Sequence, residues 1–341
     1  MSDKKVKIIL AGGGTLGSVS PLLAIADKYQ AEYLFVGSHY GPERKIVKDQ
    51  DINFVAIKSG KLRRYFDWKN FVDILKIKLA FFQSLGIIGK FKPDIVLTAG
   101  SFVAVPVVWA AWLMRVPVIV HQQDIKVGLA NKLMAPFANK ITVTFKEQTT
   151  DFKHSKVVVT GNPVRQMQIE DTYKPIVVIT GGGLGARHLN DFVKKFIPQL
   201  LKKYEVHHIL GDKNWDQKLD LEGYYPYKFI KRGMINLLSQ ADIVISRAGM
   251  SLITEVAALK KALVLIPIPN SHQERNAAFF AKKNAAIMVK QGSDKILGRY
   301  LDKLMESDIL RTGLGNNLYQ TFPNYATNDY IILINKIINK K

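Results

Sequence analysis

The sequence predicts an α/β protein that contains two Rossmann-like domains. Twice in its 341 residues, a short apolar run leads into a glycine-rich loop and then into a helical pattern, first from residue 6 and again from residue 176. Each of these openings is typical of the first strand, turn and helix of a βαβ unit. The length is sufficient for two such domains, and hydrophobic residues make up 48% of the chain, which is ample for packed cores.

The first opening begins with a predicted strand at residues 6–11. The loop at 12–18 reads Gly-Gly-Gly-Thr-Leu-Gly-Ser, and a helix is predicted from about Pro21, because proline is favoured in a first turn. This pattern matches Gly-x-Gly-x-x-Gly, so an oxidoreductase that binds NAD(P)H is one alternative. Such domains carry an acid at the end of the second strand to bind ribose. The second strand here, 33–36, ends in Gly-Ser-His, which disfavours that alternative.

Polar residues follow the later strands of this half. Apolar runs predict buried parallel strands at residues 95–97, 118–120, 141–143 and 157–159. The chain after the second of these runs reads His121, Gln122, Gln123 and Asp124. The loop at 161–165 reads Gly-Asn-Pro-Val-Arg and closes the predicted domain. Since open α/β sheets bind ligands at the carboxyl ends of their strands, these polar residues are candidates for a binding site.

Residues 60–92 combine basic and aromatic side chains in helical segments. Tyr65, Phe66 and Trp68 lie within a basic cluster that includes Arg63 and Arg64. A helix on an anionic membrane surface needs this combination, because its apolar side enters the interface while Lys and Arg meet the head groups. A pair of core helices with solvated lysines is the alternative. We favour a membrane-surface role for residues 61–82, because the aromatic residues interrupt the basic cluster.

The second opening begins with a predicted strand at 176–180 and a glycine-rich loop at 181–187. Further strands are predicted near residues 206–210, 227–230, 242–246 and 263–266. A terminal helix with an apolar stripe is predicted at 331–338, and we expect it to pack on the first domain. The predicted domains are therefore 1–165 and 173–320, with a terminal helix within 321–341.

Residues 246–277 have the order of a ligand-binding site. A strand ends at the turn Arg247-Ala248-Gly249, a helix with Glu255 follows, and the loop after the next strand carries His272, Gln273 and Asn276. A helix N-terminus stabilises a diphosphate, Glu255 can accept hydrogen bonds from both hydroxyls of a ribose, and the amides suit sugar hydroxyls. The alternative is an ordinary βαβ unit with a surface acid and a polar loop.

Composition excludes several classes of protein. There is no cysteine, so disulfides, zinc–thiolate sites and cysteine nucleophiles are excluded. Neither glycine loop ends in Gly-Lys-Ser/Thr, which excludes a P-loop nucleotidase, and no Gly-x-Ser-x-Gly elbow occurs, which disfavours an α/β-hydrolase. No His-Glu-x-x-His is present and the histidines are dispersed, so we expect no metal, and we expect no other cofactor. The net charge of +21 favours polyanionic partners. No signal-peptide pattern or apolar stretch of spanning length occurs, so we expect a cytoplasmic protein.

The motifs together resemble those of the MurG family, which transfers N-acetylglucosamine from UDP-GlcNAc to the lipid-linked muramyl pentapeptide of peptidoglycan synthesis. The resemblance covers nearly the whole chain. The matching pieces are Gly13-Gly14-Thr15, Gly41-Pro42-Glu43, Phe91-Lys92-Pro93-Asp94, Pro117-Val118, His121-x-Gln123, Gly128-Leu129-x-Asn131, the loop at 161–165, Gly181-Gly182-x-x-Gly185-Ala186-Arg187, Arg247-Ala248-Gly249 with Glu255, and His272-Gln273-x-x-Asn276-Ala277. The resemblance implies a GT-B fold, with two facing Rossmann-like domains, a cleft between them and no bound metal.

The family also implies roles for individual residues. Positions that match Glu255, Gln273 and Asn276 bind the donor ribose and sugar, and Arg165 matches a position beside the nucleotide diphosphate. The remaining candidate substrate contacts are Thr15, Gly17, Asp124, Gly183, Met250 and Ser251. We expect UDP-GlcNAc, a lipid-diphosphate-linked muramyl peptide and the anionic cytoplasmic face of the membrane as partners, and no nucleic acid.

Departures from the family pattern are concentrated in the first domain. Ser18 occupies the position of a family histidine that is a candidate for acceptor contact or base catalysis. The family's Gly-Gly-Tyr-x-Ser-Gly-Pro is replaced at residues 100–106 by Gly-Ser-Phe-Val-Ala-Val-Pro, and its His-Glu-Gln-Asn at 121–124 by His-Gln-Gln-Asp. In the second glycine loop, Gly183 replaces a family serine.

These departures lead to a hypothesis about the catalytic base. The carboxylate of Asp124 could take the acceptor proton in place of the missing histidine, although Asp124 could instead cap the following helix. The predicted function is an inverting hexosyltransferase that acts in cell-wall synthesis and hence in cell shape and division. Two alternatives remain, a transferase with a different lipid-linked acceptor and a non-catalytic UDP-sugar-binding protein.

Overall fold

The computed structural model describes residues 5–58, 69–165, 175–182, 185–230, 233–323 and 326–339, with only the backbone for residues 69–74 and for Gln217. The chain divides into two compact units. The first unit comprises Met1–Gln123, Val127–Arg165 and Pro323–Lys341, and the second comprises Asp124–Lys126 and Gln166–Phe322. The grouping of Asp124–Lys126 with the second unit is a detail that the sequence does not predict.

Parallel strands form the sheet of the first unit. In the part of the unit that the structure describes, the strands are β1 (Lys7–Ala11), β2 (Glu32–Ser38), β3 (Asn53–Ile57), β4 (Ile95–Thr98), β5 (Val118–Gln122), β6 (Lys140–Val143) and β7 (Val157–Val159). Their order across the sheet is β3-β2-β1-β4-β5-β6-β7. Helices connect them, namely α1 (Ser20–Lys28), α2 (Glu43–Lys48), α3 (Lys69–Phe91), α4 (Ala104–Leu113) and α5 (Leu129–Met134).

The central strands of this sheet are apolar because both faces are covered. Ile9 packs in one core cluster with residues of α3 and α4. Ile8 and Leu10 point to the opposite face and pack in a second cluster with residues of α1. All three side chains are fully buried, which explains why the first strand is an uninterrupted apolar run rather than an alternating one.

The second unit repeats the same arrangement. Its strands are β8 (Ile176–Thr180), β9 (Glu205–Ile209), β10 (Tyr224–Tyr227), β11 (Ile243–Ser246), β12 (Ala262–Leu265) and β13 (Ile287–Met288), in the order β10-β9-β8-β11-β12-β13. Its helices are α6 (Arg187–Lys194), α7 (Ile197–Leu200), α8 (Met234–Gln240), α9 (Met250–Ala258), α10 (His272–Lys282), α11 (Asp294–Glu306) and α12 (Asp308–Thr321). Short 3₁₀ helices occur in the two units at Ala135–Phe137, Lys146–Asp151, His154–Lys156 and Asp212–Gln217.

The terminal helix α13 (Ala326–Ile338) belongs to the first unit. Tyr330, Leu333 and Ile334 pack in the same core cluster as the α1 residues, and Tyr330 is fully buried. Thr327 Oγ1 donates a hydrogen bond to the Val164 carbonyl at 3.1 Å. The chain therefore returns to its first unit after completing the second.

Both sheets have the strand order of a Rossmann fold, which confirms the predicted fold class. In each sheet, the chain reverses direction across the sheet between the first strand and the fourth strand of that unit. The two glycine-rich loops follow β1 and β8, so both lie at these reversal points, where α/β sheets bind ligands. No helix within the described residues is both long enough and apolar enough to cross a bilayer.

The structure differs from the sequence predictions at three strands. The strand predicted at 227–230 lies instead at Tyr224–Tyr227, where Pro226 is tolerated because β10 is an edge strand. The strands β3 and β13 are not predicted from the sequence. Each is an edge strand of its sheet, and β13 has only two residues. Edge strands carry weaker apolar patterns because they are less buried.

Candidate active site

The glycine-rich loop at 12–18 is anchored by side chains beneath it. Glu43 is fully buried, and one of its carboxylate oxygens accepts a hydrogen bond from the Gly14 N–H at 3.1 Å. The Gly13 N–H donates to Ser18 Oγ at 3.2 Å. Ser18, at the position of the family histidine, is therefore buried and takes part in holding the loop.

The exposed part of this loop contains the predicted contact Thr15. Gly17 is half-buried, and its carbonyl accepts a hydrogen bond from Gln123 Nε2 at 3.0 Å. Gln123 Nε2 also donates to the Ala99 carbonyl at 3.2 Å. The amide at the end of β5 thus connects the loops that follow β1 and β4, which places the residues of this first site at one edge of the sheet.

His121, at the end of β5, is a buried structural residue. Its Nδ1 lies 2.9 Å from Thr142 Oγ1 and its Nε2 lies 2.9 Å from Asn162 Oδ1. Burial lowers the pKa of His121 to about 4, more than its hydrogen-bond partners raise it. The neutral ring therefore joins β5, β6 and the loop at 161–165 at neutral pH.

Asp124 is held by Asn276 within the second unit. Asn276 Nδ2 donates to Asp124 Oδ1 at 2.9 Å and to the Ala248 carbonyl at 3.0 Å, and Asn276 Oδ1 accepts from the Ile125 N–H at 3.1 Å. Asp124 Oδ2 lies 3.9 Å from His272 Nε2. The structure thus brings Asp124 to two residues of α10 that are about 150 positions away in the sequence, and both amide hydrogens of Asn276 are already engaged.

The helix α9 begins directly after β11, as the sequence predicts. Gly249 precedes it in an extended conformation and has no side chain to cap the helix. Met250 is buried, whereas Ser251 and Glu255 are partly exposed. Uncapped N–H groups and the helix dipole make this end of α9 suitable for an anion.

Gln273 is oriented by its own loop. Ser271 caps α10 by accepting a hydrogen bond from the Gln273 N–H at 3.2 Å. Gln273 Oε1 accepts a hydrogen bond from the Ile268 N–H at 3.1 Å. Because Oε1 accepts this hydrogen bond, Nε2 is the atom of the Gln273 amide that can donate to a ligand hydroxyl.

Arg247 is a residue whose individual role the sequence does not reveal. Its Nη1 donates to the Ile266 and Pro267 carbonyls at 2.9 and 3.2 Å, and its Nη2 donates to Gln291 Oε1 at 2.9 Å. Burial lowers its pKa. Within the described residues it has no carboxylate partner, so a buried positive charge lies directly before α9. The only sequence signal for it was its place in the Arg-Ala-Gly turn.

Two further predicted contacts stand apart from these groups. Arg165 Nε lies 3.3 Å from Asp27 Oδ2 in the first unit. Burial raises the pKa of Asp27, and the charge of Arg165 partly offsets this effect. Gly183 lies outside the described residues, as do residues 61–68 of the predicted basic and aromatic segment.

Comparison with known proteins identifies the family. Residues 8–143 match the glycosyltransferase family 28 N-terminal domain, and residues 176–309 match the glycosyltransferase family 28 C-terminal domain. A relative from Clostridium kluyveri, named UDP-N-acetylglucosamine–N-acetylmuramyl-(pentapeptide) pyrophosphoryl-undecaprenol N-acetylglucosamine transferase, is 39% identical over 97% of this chain and 99% of its own. A relative of the same name from Clostridium botulinum is 41% identical over 88% of this chain and 91% of its own.

A solved structure agrees with these relatives. The crystal structure of Acinetobacter baumannii MurG is 28% identical, covers 97% of this chain and 99% of its own, and superposes with a TM-score of 0.73. The chain belongs to the MurG family. The family resemblance read from the sequence is thereby confirmed, and so is the GT-B fold class. As a MurG family member, the protein is a hexosyltransferase.

Proposed function

We propose that the protein transfers N-acetylglucosamine from UDP-GlcNAc to a lipid-diphosphate-linked muramyl pentapeptide in peptidoglycan synthesis. The observation that carries this proposal is the identity of 39–41% with curated enzymes of that name over 88–97% of the chain. Glu255, Gln273 and Asn276, the residues that match donor-binding positions of the MurG family, are all present.

The second unit is the proposed donor site. The diphosphate of UDP-GlcNAc lies at the N-terminus of α9, near Met250 and Ser251, with the buried charge of Arg247 behind it. Glu255 accepts hydrogen bonds from the ribose, and Gln273 Nε2 donates to a hydroxyl of the sugar. Asn276 supports the site through its contacts with Asp124 and Ile125, and its Oδ1 retains one lone pair for a sugar hydroxyl. Gly183 remains a candidate substrate contact, although it lies outside the described residues.

The proposed reaction is a single displacement with inversion. The acceptor hydroxyl oxygen forms a bond to the anomeric carbon of N-acetylglucosamine as the bond from that carbon to the diphosphate oxygen breaks. UDP leaves with the electron pair, and the helix dipole of α9 and Arg247 stabilise its charge. The acceptor proton passes to a base.

Asp124 is the proposed base. Its Oδ1 is fixed by Asn276 Nδ2, and its Oδ2 lies 3.9 Å from His272 Nε2. A carboxylate oriented by a hydrogen bond keeps a fixed direction, which is what proton transfer from a bound hydroxyl needs. Ser18 has no acid–base group of suitable pKa and is engaged with Gly13, so it is a poor substitute for the family histidine.

The first unit is the proposed acceptor site. Thr15 lies in the exposed part of the loop after β1, and the half-buried Gly17 is bound by Gln123 beside the loops after β4 and β5. Arg165, which the family resemblance places beside the nucleotide diphosphate, is paired with Asp27 through its Nε.

A membrane-facing surface on α3 and α4 accompanies this acceptor site in the proposal. Leu75, Leu79 and Phe82 lie on one face of α3 at helical spacing, with 49%, 50% and 67% of each residue exposed. Trp112 and Leu113, at the end of α4, are 55% and 56% exposed. Lys76, Lys78, Lys90 and Arg115 are exposed on the same two segments, and residues 75–92 contain no acid. Apolar side chains beside lysines suit the anionic cytoplasmic face of a membrane.

The decisive experiment measures UDP release from UDP-GlcNAc with a lipid-linked muramyl pentapeptide, against a control without acceptor. Acceptor-dependent release is the expected result. If UDP is released only with a different lipid-linked acceptor, that molecule is the acceptor and the muramyl pentapeptide is not. Calorimetric binding of UDP-GlcNAc without any release would favour the alternative of a non-catalytic binding protein.

A further inference from the structure

Ser101 has a backbone conformation that glycine adopts far more readily. Its φ is +88°, in the left-handed region that non-glycine residues rarely occupy. It follows Gly100, whose φ is +102°, in the loop between β4 and α4. The MurG family pattern has glycine at this position. A serine here is strained, and such strain persists only where the surrounding structure holds the residue in place.

The Ser101 hydroxyl connects two loops of the first unit. Ser101 Oγ donates a hydrogen bond to the Gly13 carbonyl at 2.8 Å, across 88 residues of sequence. The same oxygen accepts a hydrogen bond from the Val103 N–H at 3.2 Å. A hydroxyl has a single hydrogen to donate, so the donor of Ser101 is fully used by the loop at 12–18.

Three side chains hydrogen-bond to the backbone of Gly13 and Gly14 in that loop. Ser18 accepts from the Gly13 N–H, Ser101 donates to the Gly13 carbonyl, and Glu43 accepts from the Gly14 N–H. These N–H groups are therefore engaged inside the protein, and a buried carboxylate lies directly beneath them. The N–H groups of Gly13 and Gly14 are therefore already used, whereas Thr15 is exposed on the same loop.

We propose that Ser101 is a positioning residue for the acceptor, acting through the Gly13 carbonyl on the exposed turn of the glycine-rich loop. This role rests on the proposed function, since it assigns the loop at 12–18 to the acceptor. The hydrogen bond from the Ser101 hydroxyl restricts the motion of the loop at 12–18, so less conformational entropy is lost when the acceptor binds.

Two variants separate the hydroxyl from the strain. Ser101→Ala removes the hydroxyl and keeps a side chain in the left-handed region, whereas Ser101→Gly removes both. Both variants are expected to raise the acceptor KM about five- to tenfold, as expected for the loss of one hydrogen bond, with the KM for UDP-GlcNAc unchanged. Ser101→Gly is expected to melt about 3 °C above Ser101→Ala, because it relieves the strain.

The control is Ser239→Ala in the second unit. Ser239 is also buried, and its Oγ donates to the Asn236 carbonyl at 2.7 Å. This variant is expected to leave the acceptor KM unchanged. An acceptor KM equal to that of the unmodified protein in both Ser101 variants would overturn the proposal, and so would an increase in Ser101→Ala alone.

Amide hydrogen exchange tests the positioning role of Ser101 independently of the proposed transferase reaction. The peptide that covers residues 12–18 is expected to exchange faster in both Ser101 variants, with no substrate present. If the unmodified protein does not use the muramyl acceptor, the proposed function fails while this measurement still tests the link between the loops. Unchanged exchange would overturn the positioning role even in an active enzyme.

Discussion

Asp124 is the proposed catalytic base, and its contact with Asn276 suggests a variant that tests this role. Its Oδ1 accepts a hydrogen bond from Asn276 Nδ2, so Asp124→Asn can keep an acceptor at this contact while losing the basic oxygen. If Asp124 is the base, kcat is expected to fall by about 10²–10⁴. Turnover at saturating substrate, together with calorimetric binding of UDP-GlcNAc, measures this.

Asp302→Asn is the matched control for Asp124→Asn. Asp302 lies on α11 of the second unit, and its Oδ1 accepts a hydrogen bond from Gln199 Nε2. Its substitution is expected to leave kcat unchanged. Full turnover of Asp124→Asn with normal donor binding would assign the base elsewhere.

Gln273 tests the sugar end of the donor site. Gln273→Met keeps the length of the side chain and removes the Nε2 donor that the Ile268 contact leaves available. The loss of one hydrogen bond to the sugar is expected to weaken UDP-GlcNAc binding about tenfold and to leave UDP binding unchanged. Calorimetric Kd values for both ligands measure this, with Gln199→Met as the control. Equal weakening for UDP would place Gln273 beside the nucleotide instead.

His121 makes the first unit sensitive to acid. Burial lowers its folded-state pKa to about 4, below the 6.5 of the unfolded chain, so the unfolded state binds the proton more readily. The stabilisation is complete above pH 6.5 and is lost as the pH falls towards 4. A shift of this size corresponds to roughly 3 kcal/mol.

The expected result is a urea midpoint of the first unit that falls between pH 6.5 and 4. His121→Asn is expected to be less stable at pH 7 but to lose less stability over that range, because it has no group to protonate. The exposed His154→Asn is the control and is expected to keep the full pH dependence. An equal pH dependence in His121→Asn would show that other groups cause the acid sensitivity.

At the scale of elements, α3 is exposed along one face although the helix packs on α4. Leu75, Leu79 and Phe82 repeat at the spacing of one helical face, and residues 75–92 contain lysines but no acid. A core helix would bury this face. The exposed apolar face therefore supports the membrane-surface interpretation over that of a pair of core helices.

The double variant Leu79→Asp with Phe82→Asp tests this face of α3. Binding to vesicles that contain anionic lipid at low salt is expected to weaken about tenfold or more, because two apolar contacts are replaced by like charges. Co-sedimentation measures this, and UDP-GlcNAc binding is expected to stay unchanged. Ile309→Asp, at a residue that is 87% exposed in the second unit, is the control. Unchanged vesicle binding of the double variant would remove α3 from the membrane-facing surface.

At the scale of the whole molecule, the first unit is built from stretches at both ends of the chain. The helix α13 contributes Tyr330 to its core, where the ring lies 5.9 Å from that of His121. The fold of the first unit is therefore complete only after the second unit has been traversed.

Tyr330→Ala tests the contribution of the terminal helix. The loss of a fully buried aromatic side chain is expected to lower the unfolding free energy of the first unit by about 3–5 kcal/mol and to leave the second unit unaffected. Calorimetry that resolves two transitions measures this. Ile332→Ala is the control on the same helix, because Ile332 is 64% exposed, and it is expected to change stability by less than about 0.5 kcal/mol. Equal effects of the two substitutions would contradict a core role for Tyr330.

Two Rossmann-like domains, their glycine-rich loops and the family could all be predicted from the sequence. These features depend on short stretches, since an apolar run, a glycine turn and a helix start are encoded by neighbouring residues. The start of the helix after Gly249, and the positions of Glu255 and Gln273 after it, can be predicted because neighbouring residues encode them.

Hydrogen bonds between residues far apart in the sequence could not be predicted and are seen only in the folded structure. Asn276 binds Asp124 across 152 residues, and Ser101 binds Gly13 across 88. Neither pairing has a local sequence signal, because each depends on the order of strands in a sheet and on the packing of loops at its edge. The sequence predicts that a terminal helix packs on the first domain, but the full burial of Tyr330 in that core is seen only in the structure. Local chemistry thus specifies elements and motifs, whereas contacts that hold a side chain in place arise only once the sheets have formed.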